Sequence, residues 1–109
     1  MENSINVETD IFTIISHGGN AKSIAYEALE AGHRNEFEEA DKLMEDAHKE
    51  LNEAHKTQTK LIQAEINGTH FEKSLLMIHA QDHLMTSISE INLIEQMIKL
   101  LKKIDTLQK

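Results

Sequence analysis

His79 and His83 stand four residues apart in the segment HAQDH, with Asp82 three residues after the first of them. On an α-helix this spacing gathers all three side chains on one face, within roughly a quarter-turn. An imidazole so placed can ligate a metal, serve as a general acid or base, or act as a nucleophile through its neutral form. The spacing alone does not choose among these. A zinc-protease helix requires Glu directly after the first His, and Ala80 and Gln81 follow here, which sets that chemistry aside.

Asp82 also belongs to a second pattern. Leu75, Ile78, Asp82, Ser89, Leu93, Gln96, Leu100, Ile104 and Leu107 recur at helical spacing as one stripe, while Met77, Leu84, Ile88, Ile91 and Ile98 form another on roughly the opposite side. One bundle cannot bury both, so this helix is expected to self-associate around a symmetry axis, the alternative being a monomer with an exposed apolar patch. Polar residues spaced by seven in such a seam, here Asp82, Ser89 and Gln96, set register and oligomeric state at a cost in stability. Copies of Asp82 brought together would either hold their protons or share a cation, and a divalent metal is the natural remedy.

The remaining histidines carry weaker signals. His48 and His55 border the apolar stripe of the preceding helix and read as half-buried packing residues, and His17, His33 and His70 read as surface or capping residues near helix ends or breaks. Gly18 and Gly19 together cost about 2 kcal/mol relative to Ala inside a helix, so they imply close approach by a neighbouring helix or partner, or a kink. Met77, Met85 and Met97 supply adaptable apolar groups beside the site, for core filling or for docking.

The elements that must position these residues follow from the breakers. With no Pro and only four Gly, the chain reads as all-α. A first helix is predicted from about Glu8 to Ala31, ended by Gly32. A second opens near Asn35, where Asn35 and Glu38 have capping-box spacing, and closes at Asn67 and Gly68. Thr69 and Glu72 repeat the capping-box spacing, which predicts a third helix starting almost at once and running to the C-terminus. Short connections between long helices imply an antiparallel, up-down-up three-helix bundle.

At 109 residues the chain is expected to form one domain, residues 1–109, with a modest core. Its 11 basic and 19 acidic residues give a net charge of −8, which argues against nucleic acid or an anionic membrane as partner. The absence of Cys removes disulfides, thiolate metal sites and thiol nucleophiles. MENSINVETDIF has neither a signal-peptide nor a transit-peptide pattern, and no apolar run approaches the roughly 18 residues of a membrane span, so a cytoplasmic protein without direct membrane insertion is expected.

The run SLLMIHAQDHLMTS, Ser74 to Ser87, resembles the active-site segment of the lactose/cellobiose-type enzyme IIA of the bacterial phosphoenolpyruvate-dependent sugar phosphotransferase system. IISHGGNAKSIAYEAL, from Ile14, and FEEADKLMEDAHKELNEAHKTQT, from Phe37, agree with it, so the resemblance spans nearly the whole chain. It implies a homotrimer of three-helix bundles that relays a phosphoryl group. His79 would accept the group on Nε2 from the phosphohistidine form of HPr and pass it to a cysteine of the cognate enzyme IIB, the sugar being a disaccharide that enters through membrane enzyme IIC. Asp82 would share a divalent metal, magnesium among the hard cations favoured by oxygen ligands, between subunits on the threefold axis. His83 and Gln81 would be auxiliary site residues. Arg34 and Asn35 replace the small, glycine-bearing turn of the family. Two other classes stand beside this one: a metal-dependent enzyme using His79, Asp82 and His83 as ligands, and a scaffolding trimer whose histidines only pack.

Overall fold

The computed structural model describes residues 6–109 and consists of three helices, α1 (Val7–His33), α2 (Phe37–Ile66) and α3 (Leu75–Leu107). The first residues of the N-terminal segment read above for a leader, 1–5, lie outside the described part. Asn6 starts α1 by accepting the Thr9 amide at 3.1 Å, and Glu8 and Asp10 complement the helix dipole in the first turn.

Side-chain pairs give the topology. Along α1 and α2, Asp10 meets Lys60 and His17 meets Glu50, so these helices are antiparallel. From α2 to α3, Gln58 meets Gln81, His48 meets Glu95 and Asp41 meets Lys102, again antiparallel. Lys22 on α1 meets Glu90 on α3, and Gly32 meets Ile98, so α1 and α3 run parallel. The expected up-down-up bundle is therefore present, drawn out to 58 × 26 × 19 Å.

Ala21, Ala25, Ala28 and Ala31 on α1 and Ala40, Ala47 and Ala54 on α2 are fully buried. Small residues at three-, four- and seven-residue spacing let helices approach closely, and the larger core side chains, Leu84, Ile91, Ile94 and Ile98, come from α3. The three polar pairs named above add to the apolar contact between α2 and α3.

Both predicted capping boxes fail, for one physical reason. Asn35 adopts φ 60°, the left-handed conformation that Asn tolerates, while Glu36 N–H donates to Ala31 C=O and Asn35 N–H to Gly32 C=O. That is a Schellman motif closing α1, so Asn35 ends one helix instead of capping the next. It also does the work of a glycine in this turn. Gly32 lies inside α1, not beyond it, and a Cβ there would stand 3.2 Å from Leu101 Cδ1, so its role is close approach to α3.

Gly68, at φ 107°, ends α2 as predicted, with Gly68 N–H donating to Glu65 C=O and Thr69 N–H to Ala64 C=O. Thr69 is thereby committed to the end of α2 and does not open α3. The chain instead runs on through residues 67–74, buries Phe71, and starts α3 at Ser74, whose Oγ accepts the Met77 amide at 3.0 Å. The second connection is longer than the spacing of Thr69 and Glu72 predicts.

Candidate phosphoryl-transfer site

α3 is the element on which the site is built. Ala80, Leu84, Ser87, Ile91, Ile94 and Ile98 turn inward, and the opposite face is bare in the single chain: Leu75 and Leu107 are more than four-fifths exposed, and Ile78, Leu93, Leu100 and Ile104 are exposed as well. The two-stripe reading of this helix holds. Met77 joins the core, whereas Met85 and Met97 stay on the outside. Asp82, exposed, lies on the outer stripe.

His79 is exposed and His83 half-buried on the flank of α3 that faces α1. Their rings are stacked, with centroids 6.0 Å apart and planes inclined by 8°. His83 rests on the side-chain-free backbone of Gly18 and Gly19, where α1 continues unbroken. The glycine pair thus serves close approach by a side chain of the neighbouring helix. His17, in mid-helix and not at a helix end or break, binds Glu50 through Nδ1 at 2.8 Å. His48 pairs with Glu95 at 3.3 Å, and His55, His33 and His70 are exposed.

Gln81 takes a different direction. Two residues from His79, it lies about 200° around the helix and accepts a hydrogen bond from buried Gln58 on α2. A groove of about 270 Å³ opens on that flank, with Leu61, Phe71, Lys73, Met77 and Gln81 among its walls. Below the stacked rings, Tyr26 donates to Glu90 at 3.0 Å, and that carboxylate raises the phenol above its ordinary range, chiefly through this hydrogen bond and secondarily through its charge.

Among the described residues no three His, Asp or Glu side chains converge on a point that could hold a metal ion. His79, Asp82 and His83 therefore form no ligand set within one chain. What the flank offers is an accessible imidazole, His79, against a second imidazole, His83. Ser87, fully buried one turn beyond His83, carries no mark in the sequence pattern, since a serine in a core stripe reads as packing.

Residues 9–102 match the family described as the PTS system lactose/cellobiose-specific IIA subunit. The chain belongs to this family. A lichenan-specific phosphotransferase enzyme IIA component from Bacillus subtilis is 47% identical over 98 residues, covering 90% of this chain and 89% of the relative. The crystal structure of a cellobiose-specific enzyme IIA from Bacillus anthracis superimposes with a TM-score of 0.89 at 42% identity, covering 94% of this chain and 95% of that one. The IIA(Chitobiose) structure solved in complex with HPr from Escherichia coli gives a TM-score of 0.79 at 36% identity, covering 94% and 99%. The protein is thus a IIA component of the lactose/cellobiose type, an all-α bundle, and none of its described helices is long and apolar enough to cross a membrane.

Proposed function

We propose that this IIA component relays a phosphoryl group through His79. The Nε2 lone pair of the neutral ring forms the new N–P bond as the P–N bond of phospho-HPr breaks, its electron pair returning to the donor imidazole. A cysteine thiolate of enzyme IIB then attacks phosphorus, and His79 leaves as neutral imidazole. The group passes on to a disaccharide entering through enzyme IIC, and the relay works in the cytoplasm. The observation that carries this reading is an exposed His79 stacked on a second imidazole in a chain of the IIA family. That a related IIA was solved bound to HPr supports the donor. Phosphoryl transfer asks a protein mainly to position the nucleophile and stabilise the equatorial oxygens, which a shallow flank with a neighbouring donor suits.

The bare face of α3 supports a homotrimer packed through that face. In such an assembly the α1-side flank of one α3 meets the α2-side flank of the next, so Gln81 serves the His79 of an adjacent copy, while His83 serves that of its own chain. Asp82, a hard oxygen donor in the middle of the apolar stripe, fits a divalent cation such as magnesium only when copies bring their carboxylates together. Such an ion would neutralise the carboxylates at the axis.

The test is intact mass after incubation with phosphoenolpyruvate, enzyme I and HPr. One acid-labile phosphoryl group per native chain and none on His79→Ala is expected. No phosphoryl on either protein would sink the relay, and phosphoryl on both would move the acceptor away from His79.

A further inference from the structure

The Ser87 hydroxyl is buried completely, yet among the described residues it has no hydrogen-bond partner. Such a group costs about as much as a lost hydrogen bond, so a partner is to be sought nearby. The carbonyl that a helical serine commonly uses, four residues back at His83, already accepts from Thr86 Oγ1 at 3.1 Å. A side-chain group of matching chemistry, the His83 ring, borders the same space over Gly18. A single point, the position a Cβ would take at Gly18, lies 3.9 Å from His83 Nε2 and 4.0 Å from Ser87 Oγ. Only the missing side chain of Gly18 keeps that point free, and Gly19 likewise leaves space 3.6 Å from the same nitrogen.

The geometry points to Ser87 as a positioning residue for His83: a small turn of the ring into the space above Gly18 lets Ser87 O–H donate to Nε2. A neutral imidazole that accepts at Nε2 keeps its proton on Nδ1. Ser87 thereby selects the tautomer of His83 and leaves Nδ1–H as the donor available to phosphoryl oxygens on His79. The glycine pair, whose cost in a helix needs a compensating use, supplies the room. This assignment rests on His79 being the phosphoryl acceptor.

The experiment is nitrogen NMR of the ring-labelled histidines in the full chain, without any phosphoryl donor, at a pH where His83 is neutral. Native protein should hold His83 as the Nδ1–H tautomer. Ser87→Ala should return it to the Nε2–H form that free imidazole side chains prefer, and slow phosphoryl uptake about five- to tenfold, the worth of one hydrogen bond, without lowering the melting temperature. Gly18→Ala, which fills the space, should give the same signature, and Ser87→Thr, which keeps the hydroxyl, should restore the native tautomer. The same His83 tautomer in native protein and Ser87→Ala overturns the assignment, whether the hydroxyl is satisfied by water or by nothing. Because the tautomer is read before phosphorylation, an unphosphorylated native chain counts against the relay and not against the Ser87–His83 bond.

Discussion

His83 Nε2 stands 3.6 Å from the point where a side chain at Gly19 would begin, an ordinary van der Waals distance. Gly32 differs, since its Cβ position is 3.2 Å from Leu101 Cδ1. Gly19→Ala should therefore stabilise the bundle by about 1 kcal/mol through helix propensity. Gly32→Ala should gain less or lose outright, because Leu101 must shift. Thermal unfolding of the two variants side by side decides it, and equal gains would mean that the α1–α3 contact at Gly32 is slack.

Asp82 is the acidic member of an outer stripe otherwise rich in Leu and Ile. Replacing a carboxylate in an apolar seam by Leu removes a desolvation cost, so Asp82→Leu should keep the assembly and raise its melting temperature. Sedimentation velocity and metal analysis provide the check: the proposed trimer should form with the variant as with the native chain, and only the native chain should bind a divalent cation. Dissociation into monomers would count against a carboxylate cluster on the axis.

Asp10 is buried at the end of the bundle, with Oδ1 3.0 Å from Lys60 Nζ and Oδ2 without a hydrogen-bond partner among the described residues. Lys60→Met should cost about 1–3 kcal/mol, because the carboxylate loses the Lys60 cation while staying out of water. The double variant Asp10→Leu, Lys60→Met should recover most of that. Urea denaturation of the three proteins measures it, and a silent Lys60→Met would show that Asp10 finds compensation elsewhere.

Tyr26 is the only tyrosine in the chain, so its ionisation can be read without interference. Its folded value is raised above 10.0 because Glu90 accepts its proton-bearing hydroxyl and repels the phenolate. The contribution is fully present below the unfolded value and is lost as pH rises through the folded one. Ultraviolet titration should give a midpoint above that of free tyrosine, and Glu90→Gln should lower it. An unshifted native midpoint would mean that the hydrogen bond does not persist in solution.

The helices and the two faces of α3 were legible because each rests on a period of apolar residues that no local competitor can imitate. Leu84 and Leu93 fall on opposite sides from spacing alone, and the structure buries the first and exposes the second. The entries into α2 and α3 were not legible, because Asn35 and Thr69 have the chemistry of N-caps but are already used by the motifs that end the preceding helices. Spacing places His79, His83 and Asp82 near one another and Gln81 about 200° from His79, but it does not show that Gln81 meets Gln58, which carries no signal until α2 and α3 are in register. Ser87 escaped notice because an isolated hydroxyl in a core stripe is distinguishable from packing only after its partners have been counted.

In the proposed homotrimer the outer face of α3 ties folding to concentration. Because Leu84, Ile91 and Ile98 of this helix fill the subunit core while Leu93 and Leu100 of the same helix look outward, a chain that finds copies of itself lowers the free energy of the folded state by mass action. In that assembly dilution acts as a denaturant, and the same helix that carries His79 should make the melting temperature rise with protein concentration.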